Sequence, residues 1–456
     1  MKKMCLSLLA GFIMTLILLP KTAVAAEGRS FGQAPERPLI EQVTAGETAL
    51  TASPVHSSNA NGNYYTSGHR WQTPVDSYFY ANEGGGLTRV EHIGNRVVIE
   101  DYDGTCNLLA QTELAMELPL WGGFYAGNTS NFLVFGQQNQ EESNQREVIR
   151  VVKYSKNWER QGAASLYGAN TTIPFEAGSL RMAEYGNMLY IRTCHEMYTK
   201  KEDGLNHQAN LSFTVDTSKM SIAGQTSAVM NEDVGYSSHS FNQFILVDKQ
   251  RVIALDHGDA YPRSIAMFRY HQKAGGRVFS NTFDENCDWF SLLPIQGETG
   301  DNDTGVAIGA MEASATAYLV AGNSIPQYAT SNYYGQRNIF VSSTAKNRFG
   351  KNGTTMHWIT NYTDTDKVTL SPPHLVKIFD HRFLLLFSEG KEVKYAFLDG
   401  EGNMTSPMYS MEAYLSDCKP VAYQGVVVWY YTRNSEPVFC VIDSEGNGFK
   451  LNAYKP

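Results

Sequence analysis

The 456-residue chain is poor in cysteine and in charge, with six cysteines and 18 % ionisable residues of the Asp, Glu, Lys and Arg type. The cysteines are widely spaced and none forms a Cys-x-x-Cys pair, which excludes zinc ribbons and dithiol redox motifs. There is no Gly-x-Ser-x-Gly elbow, no phosphate loop and no dinucleotide fingerprint, so the hydrolase, NTPase and dehydrogenase motifs are all missing. No segment after Leu19 has eighteen consecutive apolar residues, so no span of a bilayer is expected there. Sustained 3.6-residue periodicity is also scarce, which argues against a helical or α/β fold. The net charge is −9, a sign that disfavours nucleic acid and anionic lipid as partners.

What the chain does contain is β-forming residues and turns: 26 Tyr, 22 Phe and 39 Gly. Lys2 and Lys3 precede an apolar run from Cys5 to Leu19, and Ala23-Val24-Ala25 supplies small residues for a signal peptidase. Residues 1–25 are therefore expected to be a cleaved signal peptide, and the protein to be secreted or held at the cell surface. Losing Lys2, Lys3 and Lys21 takes the net charge from −9 to −12. Residues 26–70, rich in Ser, Thr, Ala, Asn and Gly and lacking either period, are expected to be a flexible linker. Five cysteines then remain, an odd number that makes no disulfide framework; Cys418 and Cys440 are the pair nearest in sequence.

From residue 71 to 456 a unit recurs. Its third strands read Val97-Val-Ile-Glu, Val148-Ile-Arg-Val-Val, Leu211-Ser-Phe-Thr-Val, Ile265-Ala-Met-Phe, Ile339-Phe-Val, Val393-Lys-Tyr-Ala-Phe and Val438-Phe-Cys-Val. Anchors Val98, Val151, Phe213, Met267, Phe340, Tyr395 and Phe439 are separated by 53, 62, 54, 73, 55 and 44 residues, a variation that surface loops in a repeat array absorb. Four-stranded units of this length resemble the blades of secreted bacterial β-propellers, here seven in number, in an all-β fold. The resemblance is to that architecture and to no named family, since the kelch and Trp-Asp signatures are absent. Two or three β-sandwiches are the alternative. A monomer is expected.

The chemistry-bearing residues concentrate between 176 and 263, which holds four of the eleven histidines. In a propeller the loop joining second to third strand opens on the same face as the segment entering each blade. Gln138, His195, Glu196, His207, His239, Asp256, His257, Asp259 and Asn323 are thus expected on one face, on the long loops of blades two to five. One reading makes this face the ligand-binding surface of a module that recognises a glycan or a protein, through Gln138, His207, Gln208, His239, Asp256, His257, Asn323 and Tyr261, with Tyr198, Tyr328, Tyr333 and Tyr334 as aromatic anchors. The other makes it the site of a metal-assisted lyase or glycosidase acting on polysaccharide. There His195, His239 and His257 meet on one divalent metal, Glu196 and Asp259 serve as acid–base groups, and Tyr198 and Arg263 act as general acid and carboxylate clamp. Against both stands the plainer possibility that each histidine hydrogen-bonds to the scaffold. Asp301, Asp303 and Glu312 have calcium-loop spacing, but Gly305 and Val306 stand where that loop needs a ligand and a glycine, so a plain turn is expected.

Overall fold

A computed structural model of the chain describes residues 30–31, 72–283, 286–301, 303–327, 335–433 and 436–451. The expected signal peptide, all of the linker except Ser30 and Phe31, and Tyr328, Tyr333 and Tyr334 lie outside the described residues. The rest is almost wholly antiparallel β-structure, a ring of sheets of the β-propeller type.

Five sheets stand as separate blades: 77–115, 120–167, 306–358, 374–412 and 421–450. The fourth of these gains a fifth strand, because Ser30–Phe31 runs parallel to Tyr409–Glu412. Residues 171–294 form one continuous nine-stranded sheet instead. Seven separate blades are therefore not what the chain builds. Two successive meanders, 181–226 and 238–294, are joined by the bridge Ala209–Ser238, because their strands run on past the ring until their ends meet.

Inner strands such as Asn131–Gly136 and Ala317–Ser324 are buried along their whole length, since both faces pack against neighbouring sheets. The outer strand Leu108–Ala115 is mostly exposed. Core clusters fill the seams: Phe132, Val134 and Val151 pack with Ile191, Leu211 and Phe213, and Leu255 and Met267 with Ile308, Val320 and Phe340. Each such side chain contributes about 1.5–3 kcal/mol. Single hydrogen bonds tie the seams at their inner edge, among them Trp121 Nε1 to the Val75 carbonyl (2.9 Å), Asn242 Nδ2 to the Ile308 carbonyl (2.8 Å) and His374 Nε2 to the Ser416 carbonyl (3.0 Å). Gly309 lies against the segment that leads into His374–Phe379, and a Cβ there would collide with the Pro373 carbonyl.

The ring closes between the first and last sheets. Phe79 and Tyr102 pack on Phe439 and Tyr430, and beside them lies a wholly buried network of Arg89, Glu91 and Glu100, into which Tyr430 donates through Glu91 Oε2 (3.1 Å). Third-to-fourth-strand turns recur in one form. Asp103, Asp399 and Asp443 each accept backbone N–H groups two and four residues on, and Asn107, Asn403 and Asn447 donate back to the same carboxylates. The five cysteines among the described residues are free, so Cys418 and Cys440 are not bridged.

Candidate functional site

In the nine-stranded sheet Met188–Thr199, Asn206–Asp216, Ser238–Asp248, Arg251–Tyr261 and Arg263–Lys273 have eleven or twelve residues, against eight or fewer in the other sheets. Three extra residues add about 10 Å of strand. The hairpins 199–206 and 261–263 therefore stand as a raised rim on the face where second strands turn into third. The expected long loops after His195 and Asp256 are strand instead. Asn206 pairs with Thr199 and Gln208 with Glu196, with His207 at the register shift between them, and Asp256 to Asp259 pair with 263–266.

That change of conformation decides the fate of most predicted site residues. His195 is fully buried and its Nδ1 meets the Thr171 hydroxyl at 2.7 Å; that hydroxyl donates to the Ala169 carbonyl, so the ring donates from Nδ1. Burial pushes its pKa down to about 3. His257 is equally buried beside Thr304 (3.0 Å), and burial, with Arg337 and Arg263 adding, lowers it to about 3 as well. His239 turns the other way. It sits at a β-bulge with φ +53°, and its Nδ1 donates to Asp259 Oδ1 at 2.9 Å. The three rings are thus committed to Thr171, Asp259 and Thr304, and no group of three metal-ligating side chains exists among the described residues. The expected metal triad is corrected on that ground.

Asp256 is corrected too. It is the buried counter-ion of Arg192, which reaches its carboxylate from Nε (2.8 Å) and Nη2 (2.6 Å) and donates also to Ser212, Tyr270 and Gly235. All five guanidinium N–H groups are used, and the carboxylate is 0 % exposed, out of a ligand's reach. Arg263 clamps loop carbonyls of Asp259, Gln296, Asp301 and Asp303 rather than a ligand carboxylate. Glu312 pairs with Lys419, so it and the two aspartates form no calcium loop. Asn323 is buried, accepting from Arg337 (2.9 Å). Glu196 accepts from Thr172 (2.7 Å), and Gln208 donates to the carbonyls of Glu176 and Ser240. Tyr198 accepts from Asn139 (3.1 Å), and burial raises its pKa.

What does come together on the rim is a pair of carboxylate-backed imidazoles. His207 donates from Nε2 to Asp203 (2.8 Å), and its ring stacks on His239 at 6.1 Å and 21°. On the same face Leu205, Val229 and Tyr261 expose 58 %, 51 % and 65 % of their surface, and Gln138 is exposed on the hairpin of the neighbouring blade.

A second place escaped sequence reading. On the ring axis, at the same end, Gln72, Val75, Arg181, Ile308, Gly309, Ser371, Pro372, His374, Leu415 and Asp417 enclose a cavity of about 30 Å³. These residues come from five separate segments with nothing in their local sequence to mark them. The signal exists only once the ring is closed.

No family model matches the chain, and no curated protein does. Solved structures with a similar chain course include the WD40 domain of Neurospora crassa Pan2 (9 % identity, TM-score 0.43, covering 84 % of this chain and 90 % of that one). The Dos1 propeller (9 %, 0.40, 73 % and 69 %) and apo AztD from Citrobacter koseri (11 %, 0.39, 76 % and 75 %) are others.

Proposed function

We propose that the protein is an exported, monomeric β-propeller binding module that recognises a glycan or a protein partner through the raised rim of the nine-stranded sheet. The observation that carries this is the exposure of Leu205 and Tyr261 on the two hairpins and of Val229 on the segment between the meanders, beside the partly buried His207–His239 stack. Large apolar side chains held out on short turns between paired strands suit partner contact, because little conformational entropy is lost when they are covered. We also read the nine-stranded sheet as two blades fused at Ala209–Ser238, which brings the count to seven. The titratable groups that a catalytic reading needs are spent on the scaffold, so no observation favours an enzyme. The test is a glycan array and a pull-down from the native environment, with the intact protein and with a Leu205→Ser/Tyr261→Ala variant. A partner retained by the first and lost at least tenfold by the second is expected. Silence of the folded wild type in both formats refutes the reading.

A further inference from the structure

The axial cavity carries an inference of its own, independent of the rim. Three polar side chains line it, and none is paired with another. Gln72 is 3 % exposed, and its Oε1 is buried without a hydrogen bond. Arg181 spends one N–H on the Leu180 carbonyl (3.1 Å) and lays its guanidinium over Phe244, which leaves most of its fork unused among the described residues. Asp417 forms no ion pair or hydrogen bond among the described residues, although it shares the cavity with Arg181. The loop that bears it is held in place by the His374 Nε2 bond to Ser416.

Opposite charges that line one cavity normally close on each other, as Arg192 and Asp256 do at 2.6 Å. Here they stay apart, and the electrostatics record it. Burial would lower Arg192, yet the Asp256 charge raises it above its ordinary value. Arg181, by contrast, is lowered by burial, and Asp417 is raised to about 6 by burial and by the charge of Asp76. In each, burial outweighs the opposing charge of the other, which acts across the cavity without a direct contact. A buried polar atom without a partner is destabilising, and an occupant that donates to Gln72 Oε1 restores the missing bond.

The required occupant follows from the donors and acceptors. Arg181 offers N–H groups and takes an anion; Asp417 and Gln72 Oε1 offer acceptors and take a cationic N–H donor. We propose that the axial cavity binds a small zwitterion with an ammonium and a carboxylate on one short frame, of the amino-acid type, with carboxylate on Arg181 and ammonium on Asp417 and Gln72. About 30 Å³ holds roughly two waters, room for the carboxylate end beside Arg181 and too little for a sugar ring, so the rest of the frame extends toward the open side of Asp417. The exposed side of Asp417 marks the mouth through which a substituent would point outward.

The experiment is calorimetric titration and thermal-shift measurement on the intact protein with glycine and alanine, against acetate and methylammonium as single-charge probes. Glycine or alanine is expected to bind saturably and raise the unfolding temperature, with acetate and methylammonium at least tenfold weaker. Arg181→Gln and Asp417→Asn are each expected to weaken glycine at least tenfold while circular dichroism stays that of the wild type. Absence of saturable binding by both amino acids overturns the proposal. Equal binding of acetate and glycine overturns it too, by reducing the site to an anion pocket. The probe comparison uses wild-type protein alone, so it decides the matter even if a variant fails to fold. Neither outcome bears on the rim, which the array and pull-down test separately.

Discussion

Replacing Asp256 by alanine would leave a fully buried guanidinium facing a hole. Arg192 and Asp256 are both 0 % exposed, and the pair spans the two meanders of the nine-stranded sheet. Removing one member of such a pair destabilises by about 3–5 kcal/mol, because the surviving charge stays desolvated. With a guanidinium m-value of roughly 5 kcal/mol per molar for a chain of this size, the midpoint should fall by about 0.6–1 M. The Arg192→Met single variant should lose a similar amount, since Asp256 is then the orphan. The double variant Arg192→Met/Asp256→Ala should recover part of the loss, giving a coupling energy of about 2–3 kcal/mol in the cycle. Equilibrium denaturation followed by tryptophan fluorescence reads all four proteins. A single-variant loss under about 1 kcal/mol, or additive losses in the double variant, would show that the pair does not hold the meanders together.

Acid should destabilise the protein from near neutrality. His195, His257 and His374 have native pKa values of about 3, 3 and 4 because burial disfavours the imidazolium, while the unfolded chain binds protons at about 6.5. Below pH 6.5 the unfolded state binds more protons, so stability falls by up to ~1.4 kcal/mol per pH unit for each group until its native pKa is reached. Denaturation midpoints at pH 7, 6 and 5 should show this slope, and a His257→Gln variant should show a shallower one. Gly309→Ala should destabilise by roughly 1–3 kcal/mol through its collision with the Pro373 carbonyl, a loss visible in melting temperature. Thiol titration should find Cys194, Cys287, Cys418 and Cys440 silent in the native state and all four reactive once unfolded, because they are buried and burial raises their pKa.

The repeat was legible because strand composition and turn chemistry are local properties. Each repeated strand read from the sequence falls on the third strand of a meander, such as Arg96–Tyr102, Arg263–Lys273 and Glu392–Leu398. The fusion of two meanders was not legible, since it depends on how far strands such as Met188–Thr199 run before turning, and polar residues at their ends looked like loop. The same misreading exposed Asp256 and His257 on paper. Asp256 is neutralised by an arginine 64 residues away, and nothing in Asp256-His257-Gly258-Asp259 announces that partner. Arg181 and Asp417 were invisible for the converse reason: an ordinary residue in a strand and another in a loop line one cavity only once the ring is closed.

The closing seam sets the order in which the molecule can be made. Glu91 and Tyr430 are 339 residues apart, and Ser77 and Tyr430 are 353 apart. Such contacts have the largest loop-closure entropy in the chain, so they form after the local meanders and limit the folding rate. Until then Phe79 and Phe439 face water on opposite ends of an open arc, and that arc is the species most exposed to association with other chains. Because the first and last sheets are neighbours, joining them by a short linker and opening the chain at the Asp399–Asn403 turn would move this late step elsewhere on the ring without altering a single inter-sheet contact.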